Sequence, residues 1–338
     1  MFNLTRRDFL KTTLLGLIGS TQIPFIAGNL GLEEQYGRVL DYTILTFEEP
    51  SFDARKIFSY SRDDVVAITD IIHSDNGPRF NKIWYQINDS GYTHSGSIQP
   101  VRYQINHIIT DLSNSGALAE VTVPFTDTYR GPGTIYSSAY RLYFETTYWV
   151  THTIEGKDGD YWYRLVDDYY KIPYYALAKH LKILTPSDTS PISPDIPLNK
   201  KRIIVNLTDQ LVAAYENEQP VFMSRASTGG KFRNGKNVTP EGIFTIFQKK
   251  PSRHMVGGQT GNDGYDYIGV PWVSYITHNG IAFHGAYWHN NFGYVRSHGC
   301  INMNPSAAKW IYRWSAPFTP HDQSEWTDEI GTSVLIIE

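Results

Sequence analysis

The sequence predicts a mainly β protein: two small β-barrel modules, a proline-rich connector, and a C-terminal β-sandwich or meander carrying one or two short helices. Three observations carry that reading. Aromatic residues make up 14% of the chain, with 24 tyrosines, and such side chains suit the pleated, half-buried surface of a strand. The apolar runs are short and punctuated by 27 glycines and 18 prolines, the residues that terminate strands and build turns. Only one late segment spaces its apolar residues as a helix does. The 338 residues suggest two or three domains, and 41% hydrophobic with 19% charged residues exclude a disordered chain. A net charge of −4 excludes the basic footprint of a nucleic-acid binder. One cysteine excludes an intramolecular disulfide and a multi-cysteine zinc site.

Residues 1–30 read as an address. Thr5-Arg6-Arg7-Asp8-Phe9-Leu10-Lys11 precedes an apolar stretch from Thr12 to Ile18, the pattern of a secretory signal, which is set aside in fold reasoning. Gly16, Gly19, Ser20, Thr21 and Gln22 interrupt the stretch, so it matches poorly the ~20 apolar residues of a membrane span. The string resembles the twin-arginine export motif of bacteria. That resemblance implies export to the cell envelope, in the periplasm or on the outer wall face. Membrane contact would then be transient, through the signal segment, or that of an uncleaved anchor.

Residues 38–110 and 117–185 carry strand signals and almost no helical periodicity. Val65–Ile72 and Lys82–Ile87 are β-rich, and the second ends in the turn Asn88-Asp89-Ser90-Gly91. The arrangement returns: Tyr148–Ile154, the turn Gly156–Asp160, then Tyr161–Leu165. Trp84-Tyr85 and Trp162-Tyr163 each open a strand, and both tryptophans read as core. The two stretches are similar to the bacterial SH3-like modules found in cell-wall enzymes. Residues 186–199, with four prolines among Ser, Thr and Asp, read as an extended, semi-rigid linker. Beyond it, Arg202–Leu207, Gln210–Tyr215 and Val221–Ala226 form a meander. Asn304 can cap a helix that begins at Pro305, in which Ala307, Trp310, Ile311 and Trp314 share one face. Thr332–Ile337 reads as a closing strand.

The chemistry concentrates in Ile281–Asn302, which offers the lone thiol of Cys300, two histidines at 284 and 298, and glycines that let backbone amides approach a ligand. An odd cysteine in an exported chain points to a reactive thiol or an intermolecular bond. A histidine that takes the thiol proton lowers its effective pKa from about 8.5 and makes a nucleophile. Gly299 permits a turn in which the amides of His298, Gly299 and Cys300 converge, as an oxyanion hole requires.

An apolar strand ending in His284-Gly285, followed after a loop by Ser297-His298-Gly299-Cys300-Ile301-Asn302, resembles the signature of the L,D-transpeptidase (YkuD-type) family. Ser227-Thr228-Gly229-Gly230 and Thr239-Pro240-Glu241-Gly242-Ile243-Phe244 extend the likeness upstream, so it covers residues 200–338. The resemblance implies Cys300 as nucleophile and His284 as general base, with Gly285 orienting the imidazole through its carbonyl. It also implies oxyanion amides from His298, Gly299 and Cys300, and Ser297 and Asn302 as residues that shape the loop or contact substrate. Many members carry Arg where this chain has Asn302. The implied partner is the peptidoglycan stem peptide: Cys300 forms a thioester with release of terminal D-Ala, and an amine acceptor resolves it into a 3→3 cross-link. Hydrolysis or anchoring of a protein lysine would use the same thiol, carbapenem-type β-lactams would acylate it, and no metal or organic cofactor is needed.

Two other classes stay open. A zinc peptidase could use His278, His284, His289 and His298, although no His-Glu-x-x-His occurs and no acidic residue lies between His284 and Cys300. A non-catalytic wall-binding protein would use its aromatic-rich β modules. Tyr265, Tyr267, Trp272, Tyr287 and Trp288 read as loop aromatics able to line a substrate groove, with Tyr287 and Trp288 the substrate-binding pair nearest the histidine. His278 and His289 otherwise read as ordinary loop histidines.

Overall fold

In the computed structural model the described residues are 35–230, 238–258 and 264–338. Residues 1–30, read above as an address, lie outside them. Short alternating runs become short strands throughout. The first unit comprises β1 (Gln35–Val39), β2 (Thr43–Phe47), β3 (Lys56–Ser61), β4 (Val65–His73), β5 (Ile83–Ile87), β6 (Gly91–His94) and β7 (Ile98–Val101). The second comprises β8 (Ala117–Val121), β9 (Phe125–Tyr129), β10 (Ser138–Tyr143), β11 (Thr147–Glu155), β12 (Tyr161–Val166), β13 (Pro173–Leu177) and β14 (Leu181–Ile183). Their sheet orders are β3-β2-β6-β5-β4-β1-β7 and β10-β9-β13-β12-β11-β8-β14, one topology used twice. Trp84 and Trp162 occupy corresponding strands, β5 and β12, and both are buried. Trp84 meets Phe47 edge to face at 6.0 Å, while the Trp162 indole donates to Asp158 Oδ1 at 3.3 Å. The apolar clusters of the two sheets are built mainly from aliphatics together with the adjacent tyrosines, Tyr85 and Tyr163.

Residues 186–199, read as an extended, semi-rigid linker, lie against the C-terminal unit. They begin with a single helical turn, α1 (Pro186–Thr189), held by reciprocal capping between Thr185 and Asp188. The Ile192 amide then donates to the Arg313 carbonyl at 3.1 Å, and Arg313 Nε donates to the Ser190 carbonyl at 2.8 Å. Ile192 packs on the C-terminal core. One apolar side chain and a few backbone bonds fasten a segment that composition alone describes as a spacer.

The C-terminal unit is a ten-stranded sheet built from β15 (Lys201–Asn206), β16 (Leu211–Glu216), β17 (Gln219–Ser227), β18 (Gly242–Thr245), β19 (Gln248–Gly257), β20 (Tyr265–Tyr275), β21 (Ala282–Gly285), β22 (Ile301–Met303), β23 (Trp326–Thr327) and β24 (Ser333–Ile337). Its order is β18-β24-β15-β16-β17-β22-β21-β20-β19-β23. The closing strand β24 lies parallel to β15. Helix α2 (Pro305–Trp314) packs against β20 and β21. Asn304 caps it, its side chain accepting from the Ser306 amide at 3.0 Å. Ala307, Ile311 and Trp314 are buried, and Trp310 stacks on Phe222 at 4.2 Å. The C-terminus of α2 is satisfied by the wholly buried Lys249 of β19, which donates to the carbonyls of Tyr312 and Ser315; this meets the end's exposed partial negative charge. Among the described residues no helix is long and apolar enough to cross a membrane.

Candidate active site

Strands β21 and β22 run parallel with Phe283 opposite Ile301 and His284 opposite Asn302. Side chains alternate along a strand, so Cys300, two residues before Asn302, projects to the same face as Asn302 and His284. The thiol, the imidazole and the carboxamide thus open on one cleft of about 350 Å³. Gly285 is required for space: a Cβ there would fall 2.8 Å from Pro271 and 2.9 Å from the Pro305 backbone. That close approach presses β21 against α2 and fixes the base.

The turn before the thiol is tied by its own residues. The Ser297 hydroxyl donates to the Cys300 carbonyl and accepts from the Gly299 amide at 3.1 Å. Gly299 has φ +117°, a conformation that an L side chain rarely adopts. Both upstream motifs converge here. The Thr228 carbonyl accepts from the Arg296 and Ser297 amides, each at 3.1 Å. Thr239 Oγ1 accepts from the Gly229 amide and donates to the Gly299 carbonyl, each at 2.8 Å. Ser227–Gly230 and Thr239 therefore build the frame behind the turn. Of the expected trio of amides, that of Gly299 is already engaged by Ser297.

The electrostatics differ from an activated ion pair. His284 is 2% exposed, and burial lowers its pKa to about 4 against the opposing hydrogen bond to Gly285. Its Nδ1 lies 3.2 Å from the Gly285 carbonyl, which assigns the ring proton to Nδ1 and leaves Nε2 as acceptor. Cys300 is half-buried, yet desolvation pushes its thiol up to about 11, with a backbone hydrogen bond from Ala282 opposing. The thiol donates to the Gly280 carbonyl at 3.5 Å rather than to the imidazole. The thiol was expected to be lowered by the histidine; it is raised, because both groups sit in a poorly hydrated wall that disfavours either charge.

Other expectations divide. Tyr265, Tyr267 and Trp288 line the cleft, with Tyr267 stacked on Trp288 at 3.8 Å. Trp288 also lies 5.8 Å from the His284 ring, and the His298 ring packs 5.3 Å from Tyr265. Tyr287 does not face the cleft: it is 5% exposed and stacks on Tyr143 of the second sheet at 5.2 Å. Trp272 is core, packed on Tyr312. Tyr265, Tyr267 and Trp272 belong to strand β20 rather than a loop. Period-two alternation within a recognised strand would have separated them. His289, read as a loop histidine, is buried 3.3 Å from the Asn302 carboxamide, and burial lowers its pKa to about 3. Asn302 thereby holds the floor of the site. Arg253, Tyr275, Gly280 and Arg296 line the cleft without having been anticipated; nothing in their local pattern marks them. Among the described residues no three His, Cys, Asp or Glu side chains are grouped to hold a metal.

Comparison with known proteins places residues 200–336 on the L,D-transpeptidase catalytic domain family YkuD. A curated relative from Bacillus subtilis (strain 168), "Putative L,D-transpeptidase YciB", is 27% identical over 129 residues, 35% of this chain and 63% of that protein. The chain thus spans under two thirds of that relative's length. Among solved structures, an L,D-transpeptidase from Mycobacterium smegmatis is 21% identical with TM-score 0.34, covering 41% of this chain and 59% of that one. The catalytic domain of the E. faecium L,D-transpeptidase is 22% identical with TM-score 0.32, covering 40% and 96%.

Proposed function

We propose that the protein, whose residues 200–336 match the YkuD L,D-transpeptidase catalytic domain family, is an exported cysteine acyltransferase acting on peptidoglycan stem peptides. The observation that carries the proposal is the placement of the Cys300 thiol and the His284 imidazole, from adjacent parallel strands, on one cleft.

Cys300 Sγ attacks the carbonyl carbon between the third stem residue and the terminal D-Ala while its proton passes to His284 Nε2. The Gly285 carbonyl holds the Nδ1 proton and stabilises the imidazolium that forms. The C–N bond breaks, the imidazolium returns its proton to the departing D-Ala amine, and a thioester remains. An amine from a neighbouring stem attacks the thioester, giving the cross-link and the free thiol. The Cys300 amide is assigned to the developing oxyanion, the Gly299 amide being held by Ser297. With the thiol near 11 and the imidazole near 4, proton transfer accompanies attack rather than preceding it. The two N-terminal sheets are assigned as SH3-like modules, and the Arg6-Arg7 segment as the twin-arginine address that delivers the chain to its polymer.

The test is incubation of the purified protein with a tetrapeptide-stem muropeptide, followed by mass spectrometry. A dimer lacking one D-Ala supports cross-linking, and a tripeptide product assigns water as acceptor. No change in the substrate, or turnover retained in Cys300→Ala, overturns the proposal.

A further inference from the structure

One cluster of ionisable side chains lies outside the thiol site and joins two units of the protein. His254 of β19 is 1% exposed. Its Nδ1 is hydrogen-bonded to Asp167 and its Nε2 to Asp266. The neighbouring Asp168 accepts from the His254 amide through Oδ1 and from the Arg253 guanidinium through Oδ2, each at 2.6 Å. Asp167 and Asp168 follow β12 in the second sheet; His254, Arg253 and Asp266 belong to the β19–β20 hairpin of the C-terminal sheet. Tyr169 and Tyr170 of the same loop pack on the His254 ring at 5.9 and 5.4 Å. The Asp167 carboxylate is itself fixed by the Tyr169 and Tyr170 amides, at 2.8 and 2.5 Å.

The clamp has a direct bearing on the cleft. The same hairpin supplies Arg253, Met255, Val256, Tyr265, Tyr267 and Tyr275 to the wall that faces Cys300. Arg253 thus lines the cleft while Asp168, from another unit, holds its guanidinium. The buried pair of the cluster is His254 with Asp167. Such a pair is weak as a source of stability but strong as a fixer of geometry, because the alternatives leave a charge unpaired. The part-exposed Arg253–Asp168 pair is held beside it through the His254 amide.

We infer that Asp167 and Asp168 are positioning residues for acyl transfer: the second β unit holds the β19–β20 hairpin so that Arg253 is presented to the bound stem peptide. This rests on the acyl-transfer reading above for its substrate, and not for the clamp itself. Removing Asp168 frees the His254 amide and leaves Arg253 only its contact with Tyr275, whereas removing Arg253 deletes the presented group and leaves Asp168 without its cation.

The experiment uses the full chain and the tetrapeptide-stem muropeptide, with Asp168→Asn, Arg253→Gln, the double variant and Asp168→Glu. Asp168→Asn and Arg253→Gln are each expected to raise KM about tenfold with little change in kcat, and the double variant to be no worse than either. Asp168→Glu recovers part of the loss. Amide exchange at His254 is measured in parallel and is expected to speed up at least about tenfold in Asp168→Asn. Unchanged KM in a folded Asp168→Asn, or additive effects in the double variant, overturns the inference. If Asp168→Asn does not fold, KM in Asp168→Glu and Arg253→Gln decides: an unchanged value in both overturns it. If the unmodified protein turns over no muropeptide, the acyl-transfer reading fails separately, and unaltered exchange at His254 is then the result that removes the clamp.

Discussion

The resting thiol should be nearly inert toward small electrophiles at neutral pH, and the size of that inertness follows from its surroundings. With the Cys300 thiol pushed up to about 11, four pH units above 7, about one molecule in 10,000 carries the thiolate; a free thiol near 8.5 carries about 3%, some 300-fold more. A thiolate of higher pKa is intrinsically more nucleophilic, which returns a factor of about 10 over 2.5 units. Iodoacetamide should therefore alkylate Cys300 about 20- to 30-fold more slowly than a free cysteine peptide at pH 7. The rate should climb tenfold per pH unit through pH 10, because His284, lowered to about 4, is neutral throughout and contributes no inflection. The assay is the pseudo-first-order rate of mass gain between pH 6 and 10. A plateau beginning below pH 8 would mean a thiolate–imidazolium pair already formed at rest, and would refute the assignment of proton transfer to the moment of attack.

Three further outcomes follow from named contacts. Ser297→Ala removes the acceptor of the Gly299 amide and the donor to the Cys300 carbonyl; it should cost about 1–3 kcal/mol in urea unfolding and lower kcat at least about tenfold. Tyr287→Ala empties a buried position stacked on Tyr143 and should cost about 3–5 kcal/mol, whereas Trp288→Ala, in the cleft wall, should mainly raise KM. The pKa of His254 is raised: burial works against the charge, and the carboxylates of Asp167 and Asp266 overcome it. Its contribution to stability is therefore fully present below the ordinary histidine value and is lost as pH rises through the raised one. The groups facing it are Asp167, Asp168, Asp266, Arg253, Tyr140, Tyr169 and Tyr170. The melting temperature should fall across that window in the unmodified protein and lose this step in His254→Gln.

The strands that sequence reveals are those whose partners are close in the chain. Tyr148–Ile154 and Tyr161–Leu165 announce a hairpin because the turn between them is written in Gly156–Asp160, and they pair as β11 and β12. The Asn304-Pro305 start of α2 is equally local. The thiol, the histidine and the Ser-Thr-Gly and Thr-Pro segments stood out in the sequence through their resemblance to a family signature, and the fold brings them to one region. Three features were not legible, each for a physical reason. The face taken by Tyr287 depends on Tyr143, more than a hundred residues away. The pKa of Cys300 depends on how little water reaches it, a quantity set by packing rather than by the adjacent histidine. The Asp167–Asp168–His254–Asp266 cluster carries no motif, since its members come from two sheets and meet only after both have formed.

The chain between base and nucleophile is held at several points by the N-terminal units. Buried Arg38 of β1 donates to the Tyr287 carbonyl at 2.6 Å and pairs with Asp63 at 2.9 Å. Asn290 donates to the Ser95 and Ile98 carbonyls at 3.1 and 2.8 Å. Tyr294 packs on Phe80 at 5.6 Å. Parallel register between β21 and β22 fixes where His284 and Cys300 stand, but it leaves the path of the connecting loop open, and that loop supplies Trp288 and Arg296 to the cleft. The first sheet fastens this loop, and Tyr143 of the second stacks on its Tyr287, while the second sheet also fastens the opposite wall through Asp168. The two N-terminal units are themselves joined by the Arg141–Asp63 ion pair, so both walls of the cleft are referred to one connected set of contacts. The walls are thus set by contacts between sheets, whereas the placement of His284 opposite Asn302 is set within one pair of strands.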